Sequence, residues 1–319
     1  MPASPPADTE LDVTRVTQAG LIALNNTARK LTLRPVRIRA AMNGAHLSAF
    51  KGIGMELEEV RPYQPGDDLY SIDWRVTART GEAHTKVFRE ERERPVLLWV
   101  DYRQSMFFGT RRCFKSVLAA RTAALLAWMT VQHGDRVGGL VFAAQQHDEI
   151  RPLRGNKGAL HLIHALSQHP AWRTHAGQQA TQHKPDALNT ALQRLHHLSR
   201  PGSLLFLISD FYDFDDAAAE ALSAACRQHD VVMIHISDPM ERQLPAQGYY
   251  RFTDGDTELG LHTGNRHLLQ QFQQRFAQRQ QQLQNLCKQL RLQYLPLSTD
   301  DDWPGCLQQH IGWRTGGRA

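Results

Sequence analysis

Two aspartates that close apolar runs are the residues of this sequence best placed to do chemistry. Val96-Leu-Leu-Trp-Val-Asp101 and Ser203-Leu-Leu-Phe-Leu-Ile-Ser-Asp210 each read as a buried strand ending in a carboxylate. In an open parallel α/β sheet, ligands bind outside the carboxyl ends of the strands, so both acids are expected at a binding edge. Asp101 leads into Tyr102-Arg103-Gln104-Ser105, a turn that presents Asp101, Arg103 and Ser105 from alternate positions. Asp186 opens a helix that could approach the same edge. Hard oxygen ligands converging there from three loops would suit Mg2+ or Mn2+.

A second group of acids, Asp67, Asp68 and Asp73, invites a different reading, because clustered carboxylates can hold two catalytic metals and support hydrolysis. Arg61, Arg75, Arg79, Lys86 and Arg89 lie nearby in sequence and would instead satisfy these acids as an ion network. Arg29, Lys30, Arg34, Arg37 and Arg39 form a basic cluster and give a third reading, nucleic-acid binding; the aromatic stacking residues such binders add are missing from it, so nucleic acid is not the expected partner. The net charge of +5 permits an anionic partner without requiring one. A phosphate-binding G-x-x-x-x-G-K-[ST] loop, a H-E-x-x-H pair and a G-x-S-x-G elbow are all absent from the sequence. Hydrolysis of ATP by this chain is therefore not expected.

The elements that must position these residues follow from periodicity. Residues 1–10 read as a frayed tail, without the charged and apolar regions of a signal peptide. Residues 11–95 read as an amphipathic helix over 11–30 followed by a β-rich unit with tight turns, in which Ser71-Ile-Asp-Trp-Arg-Val-Thr is a β-favouring piece. From residue 96 to 319 strands and helices alternate, which predicts a largely parallel sheet with helices on both faces. Helices are expected over 114–131, 159–167, 186–198, 215–227 and 266–290, with strands over 136–142, 231–236 and 291–297 and a hairpin over 249–261. No window reaches the roughly 18 apolar residues of a bilayer-spanning helix, and the four cysteines lack C-x-x-C spacing, so a cytoplasmic protein is expected.

The stretch Gly66-Asp67-Asp68-Leu-Tyr-Ser-Ile72-Asp73-Trp74-Arg75, then Lys86-Val-Phe-Arg-Glu-Glu-Arg-Glu, the strand ending in Asp101, Gly134-Asp-Arg-Val-Gly138 and Ile208-Ser-Asp-Phe211 together resemble the bacterial domain-of-unknown-function-58 family. The resemblance runs from about Gly52 to the C-terminal tail. It implies a von Willebrand factor A-like fold and a non-catalytic adaptor that works with a MoxR-type AAA+ ATPase in chaperone-like assembly of an unknown client. It also implies a metal-ion-dependent adhesion site of the form Asp-x-Ser-x-Ser with a threonine and a distal aspartate. Asp101 and Ser105 match that pattern and Asp210 matches the distal acid, but Arg103 stands at the first serine and Asp186 where the threonine falls.

A guanidinium about 5 Å from a divalent ion, at an effective dielectric of about 20, is repelled by roughly 7 kcal/mol. The favoured expectation is a degenerate site without a cofactor, in which Arg103 pairs with Asp101, Asp210 or Asp186 as a charge-assisted fork. The alternative is that Arg103 turns to solvent and the carboxylates hold Mg2+. Met106, Phe107 and Phe108, on the following rim, are the expected partner contacts.

Overall fold

Apolar runs and helical stripes alternate along the chain, and the structure, a computed structural model, describes residues 13–31, 55–65, 67–90, 94–174, 186–245, 248–253, 258–264 and 266–310. In chain order the elements are α1 (Gln18–Lys30), β1 (Met55–Pro62), α2 (Trp74–Thr80), β2 (His84–Glu90), β3 (Pro95–Asp101), α3 (Lys115–Gln132), β4 (Arg136–Phe142) and β5 (His147–Arg154). They continue with α4 (Asn156–Gln168), α5 (Ala171–Thr174), α6 (Ala187–Leu198), β6 (Leu204–Ser209), α7 (Asp216–Cys226), β7 (Asp230–Ser237) and α8 (Pro239–Arg242). The hairpin β8 (Tyr249–Thr253) and β9 (Glu258–His262), α9 (Arg266–Leu290), β10 (Gln293–Ser298) and α10 (Trp303–His310) complete the chain.

The fold is α/β. A six-stranded sheet runs in the order β10-β7-β6-β3-β4-β5, parallel except for β5. Alternate residues of β3 enter opposite layers. Val96, Leu98 and Val100 pack with α1, α3 and α4, whereas Leu97 and Trp99 pack with α6, α7 and α9. Burial on both faces is why these strands are continuous apolar runs rather than alternating ones. β5 buries only Ile150 and carries Pro152, as befits an edge strand, and no apolar run signals it in the sequence. Gly139 of β4 faces the Leu98 carbonyl of β3 so closely that an added Cβ would lie 2.2 Å from that oxygen.

The helix expected over 11–30 begins at Gln18, capped by the Thr17 hydroxyl, which accepts from the Gly20 N–H. α1 packs on α3 through Leu21, Leu24 and Ala28, and the Trp128 indole N–H donates to the Leu21 carbonyl. It therefore belongs to the sheet unit. β1, β2 and the segment between them make up a separate compact unit. The tail over 1–10 lies outside the described residues, as do Arg34, Arg37 and Arg39.

In the smaller unit, β1 and β2 pair antiparallel. The piece expected to favour β structure, Ser71 to Thr77, is instead a short 3-10 turn over Leu69–Ser71 followed by α2. Capping outweighs β propensity here. The Asp73 carboxylate accepts from the Arg75 and Val76 N–H groups, and Gly81, at φ 80°, ends the helix in the left-handed region.

Candidate functional site

Chain order makes the carboxyl edge of the sheet a natural site. From β3 the chain crosses through α3 to β4 on one side, and later returns to β6, β7 and β10 on the other. The crevice between the carboxyl ends of β3 and β6 is therefore the topological switch point. Each of the four strands on that side ends in a polar residue: Asp101 ends β3, Asp210 follows β6, Asp238 follows β7 and Thr299 follows β10. Strand adjacency sets these four in a row.

Arg103 is folded back onto Asp101. Its backbone N–H donates to Oδ1 at 2.8 Å, its Nε to Oδ2 at 3.0 Å and its Nη2 to Oδ2 at 2.8 Å. The Ser209 hydroxyl donates to the same Oδ2 at 2.7 Å. Arg103 Nη2 also donates to the Tyr212 carbonyl and lies 3.9 Å from Asp210 Oδ1. Asp101 is fully buried and Arg103 nearly so. Burial alone would lower the Arg103 pKa, but Asp101 first, with Asp210 and Asp213 behind it, more than offsets this and raises the value above that of a free guanidinium.

Lys115, the first residue of α3, supplies a second internal cation. Its buried ammonium donates to Asp210 Oδ2 at 2.8 Å and to Glu241 Oε1 at 2.6 Å. Desolvation opposes the charge on Lys115, yet Asp210 and Glu241 hold its pKa above the ordinary lysine value. Asp210 is pushed the opposite way. Desolvation would raise it, and Lys115 and then Arg103 overcome that and keep its carboxyl well below the usual range. Glu241 closes a capping box on α8, accepting from the Asp238 N–H. Asp238 in turn accepts from the Thr110 N–H and hydroxyl, the Met240 N–H and the Thr299 hydroxyl.

Lys115, Ser209, Asp238, Glu241, Thr110 and Thr299 were not anticipated from the sequence. Asp238 carried a readable signal, since it closes an apolar run as Asp101 and Asp210 do, and Asp238-Pro-Met-Glu241 spells a helix start. Lys115 carried none.

Other expected site residues fall differently. The Ser105 hydroxyl is buried without a hydrogen-bond partner. Asp186 stands at the amino end of α6, is exposed, and caps nothing with its side chain, so it is not part of the ion network. The expected partner rim is corrected as well. A 3-10 turn over Gln104–Met106 turns the chain inward, so Met106 is fully buried, Phe107 meets the rings of Tyr102 and Trp172 edge-on, and Phe108 is half-buried. The exposed rim is formed by Thr110, Arg111, Arg112 and Arg242, together with Tyr212, whose ring lies under the Arg279 guanidinium at 4.9 Å. Tyr212 sits between two left-handed residues, Phe211 (φ 49°) and Asp213 (φ 59°). For a phenylalanine that conformation costs about 1–3 kcal/mol, and the loop is held in it by the Ser209 hydroxyl accepting from the Phe211 N–H, by Asp210 accepting from the Tyr212 N–H and by Arg103.

The acids of the smaller unit do not converge. Asp67 pairs with Arg61 at 2.8 Å and accepts from the Gln64 N–H, which together lower its pKa. Asp68 caps the 3-10 turn through the Tyr70 N–H. Asp73 caps α2 and lies 3.6 Å from Lys86. Ile72 bridges to Thr85, Trp74 and Arg75 are exposed, and Gly66 lies outside the described residues. Among the described residues, no group of three or more His, Cys, Asp or Glu is arranged to hold a metal ion.

The adhesion-site pattern implies a divalent cation, and the residues present do not fit one. The Arg103 fork and the Lys115 ammonium occupy the oxygen atoms that a cation would need, and each leaves positive charge where the ion would sit. An α/β protein with a fully paired ionic edge at its switch point is thus the class defined by fold and site. The family described as "Protein of unknown function DUF58" matches residues 59–283, and the chain belongs to it. The uncharacterized protein Rv1480 of Mycobacterium tuberculosis and the uncharacterized protein Mb1516 of Mycobacterium bovis are each 29% identical over 221 residues, which cover 69% of this chain and 67% of theirs. Among solved structures, the conserved hypothetical protein BatB of Bacteroides thetaiotaomicron is similar at a TM-score of 0.44 and 18% identity, over 68% of this chain and 97% of that one. An aerotolerance-related membrane protein of Bacteroides fragilis is similar at 0.44 and 15%, over 68% of this chain and 98% of that one. Among the described residues, no helix is long and apolar enough to cross a membrane.

Proposed function

We propose that this chain is a non-catalytic, von Willebrand factor A-like protein-binding module that works in the cytoplasm with a MoxR-type AAA+ ATPase on a client protein. One observation carries the reading: every carboxylate at the switch point is committed to an internal donor. Asp101 is held by Arg103 and Ser209, Asp210 and Glu241 by Lys115, and Asp238 by Thr110, Thr299 and the α8 backbone. General acid–base catalysis needs a carboxyl with a free lone pair or a proton to give, and a metal needs open oxygens. A closed ion network supplies rigidity instead, and it presents the rim of Arg111, Arg112, Tyr212 and Arg242 on a fixed base.

The proposed edge takes no divalent cation, because tethered cations stand in for it. Its outward charge is positive, which suits a partner that offers carboxylates. The hydrolase reading of Asp67, Asp68 and Asp73 finds no support in their divergent partners. The adaptor reading is tested by co-purification with the MoxR-type ATPase of the same genome, with and without ATP. Nucleotide-dependent association that Arg111→Glu with Arg112→Glu abolishes is expected; no association in either nucleotide state ends the proposal.

A further inference from the structure

The smaller unit places a second set of side chains on its surface that the ionic edge does not use. Leu69, Tyr70 and Trp74 are exposed to 65%, 98% and 71%. Tyr70 and Trp74 are four peptide steps apart, at most about 14 Å along the chain. Asp68 pins the Tyr70 end by accepting from its N–H, and Asp73 pins the Trp74 end by capping α2. On α2 the exposed residues are Trp74, Arg75, Ala78, Arg79 and Thr80; Arg75 and Arg79, at i and i+4, share one exposed face, and Trp74 precedes Arg75 at the start of the helix.

The charges of the unit are sorted. Arg61 is neutralised by Asp67 and Lys86 by Asp73, whereas Arg75 and Arg79 have no carboxylate partner among the described residues. Trp, Tyr and Arg are also the residue types that dominate protein–protein hot spots.

We infer that Leu69, Tyr70, Trp74, Arg75 and Arg79 form a docking surface for a segment of a partner protein that carries apolar side chains beside carboxylates. The apolar residues take the segment's anchors and the two guanidinium groups take its acids, each by a charge-assisted pair. Single-stranded nucleic acid also stacks on aromatics, but its continuous phosphate backbone would have to track across a unit whose residues 55–90 hold eight acidic residues against five basic ones, whereas the acids of a short segment need reach only Arg75 and Arg79. The surface uses none of the residues of the sheet edge proposed above, and either can fail without the other.

The test uses the full-length chain, fluorescently labelled, to sort a bead-displayed library of random short peptides. Enrichment of Asp and Glu next to Trp, Phe or Leu is expected. Tyr70→Ser with Trp74→Ser should weaken a selected peptide by roughly tenfold or more, and Arg75→Glu with Arg79→Glu should turn the preference toward Lys and Arg, a reversal that mere loss of structure cannot produce. Thermal melts confirm that both variants stay folded. No compositional bias, or a bias unchanged in both variants, overturns the proposal. It is equally overturned if a labelled oligothymidine binds and Trp74→Ser weakens it, or if sedimentation shows a dimer that Trp74→Ser dissociates, which would assign the surface to a second copy of this chain.

Discussion

Replacing Arg103 by serine creates an Asp-x-Ser-x-Ser sequence over residues 101–105 in one step and removes the cation that closes the edge. Two effects with separable magnitudes follow. Without metal, Asp101 keeps only the Ser209 hydroxyl and the backbone N–H of residue 103, because the forked guanidinium is gone. Removing one partner of a buried ion pair costs about 3–5 kcal/mol, a large part of the roughly 5–15 kcal/mol that holds a domain folded. With Mg2+ present, the roughly 7 kcal/mol of repulsion estimated for a guanidinium 5 Å away is lifted, about five orders of magnitude in affinity. The Ser105 hydroxyl, four residues after Asp101, is buried without a hydrogen-bond partner and so has a lone pair to offer. Calorimetric titration should show no Mg2+ binding to the wild type and clear binding to Arg103→Ser. Urea unfolding should show the variant weakened in EDTA and regaining about 2.7 kcal/mol when Mg2+ reaches some hundred times its dissociation constant. Equal Mg2+ affinity in both proteins, or a variant as stable as the wild type in EDTA, would refute the reasoning.

Lys115→Met should cost about 3–5 kcal/mol in urea unfolding, since it strands Asp210 and Glu241; adding Asp210→Asn should recover part of that, and a double variant as unstable as the sum of the singles would show that the two groups do not interact. Burial holds the His235 and His169 imidazoles down to about 4, so both stay neutral in the fold while an unfolded chain would protonate them near pH 6.5. Stability is therefore complete above that pH and falls as pH drops toward 4, by roughly 3 kcal/mol per histidine; a flat urea midpoint between pH 7 and pH 5 contradicts this. Gly139→Ala should lower the melting temperature by several degrees, because a Cβ there runs into the Leu98 carbonyl. Asp73→Ala should remove about 1 kcal/mol through loss of the α2 cap, read as earlier melting of the smaller unit.

Much of the framework is legible in the order of residues because strands buried on both faces must be continuous apolar runs and surface helices must show a stripe. α9 lies over the 25 residues its leucine and phenylalanine spacing marks, and β4 ends where its run ends. Arg103 beside Asp101 is local too, a contact two residues apart. Where local signals competed, the sequence misled: a β-rich reading of Ser71 to Thr77 lost to one aspartate cap, and the apolar Met106 and Phe107 pointed to a surface they do not occupy.

By itself, then, the sequence determined the alternation of strands and helices, the acids at the strand ends and an arginine two residues after the first of them. Tertiary structure alone decided which distant charges meet. Lys115 reaches Asp210 across 95 residues and Glu241 across 126, and Thr110 reaches Asp238 across 128, while Asp186 ends up exposed and outside the network. Those encounters depend on the order of strands in the sheet, which follows from how the two helical layers bury its faces and leaves no mark in the spacing of neighbouring residues.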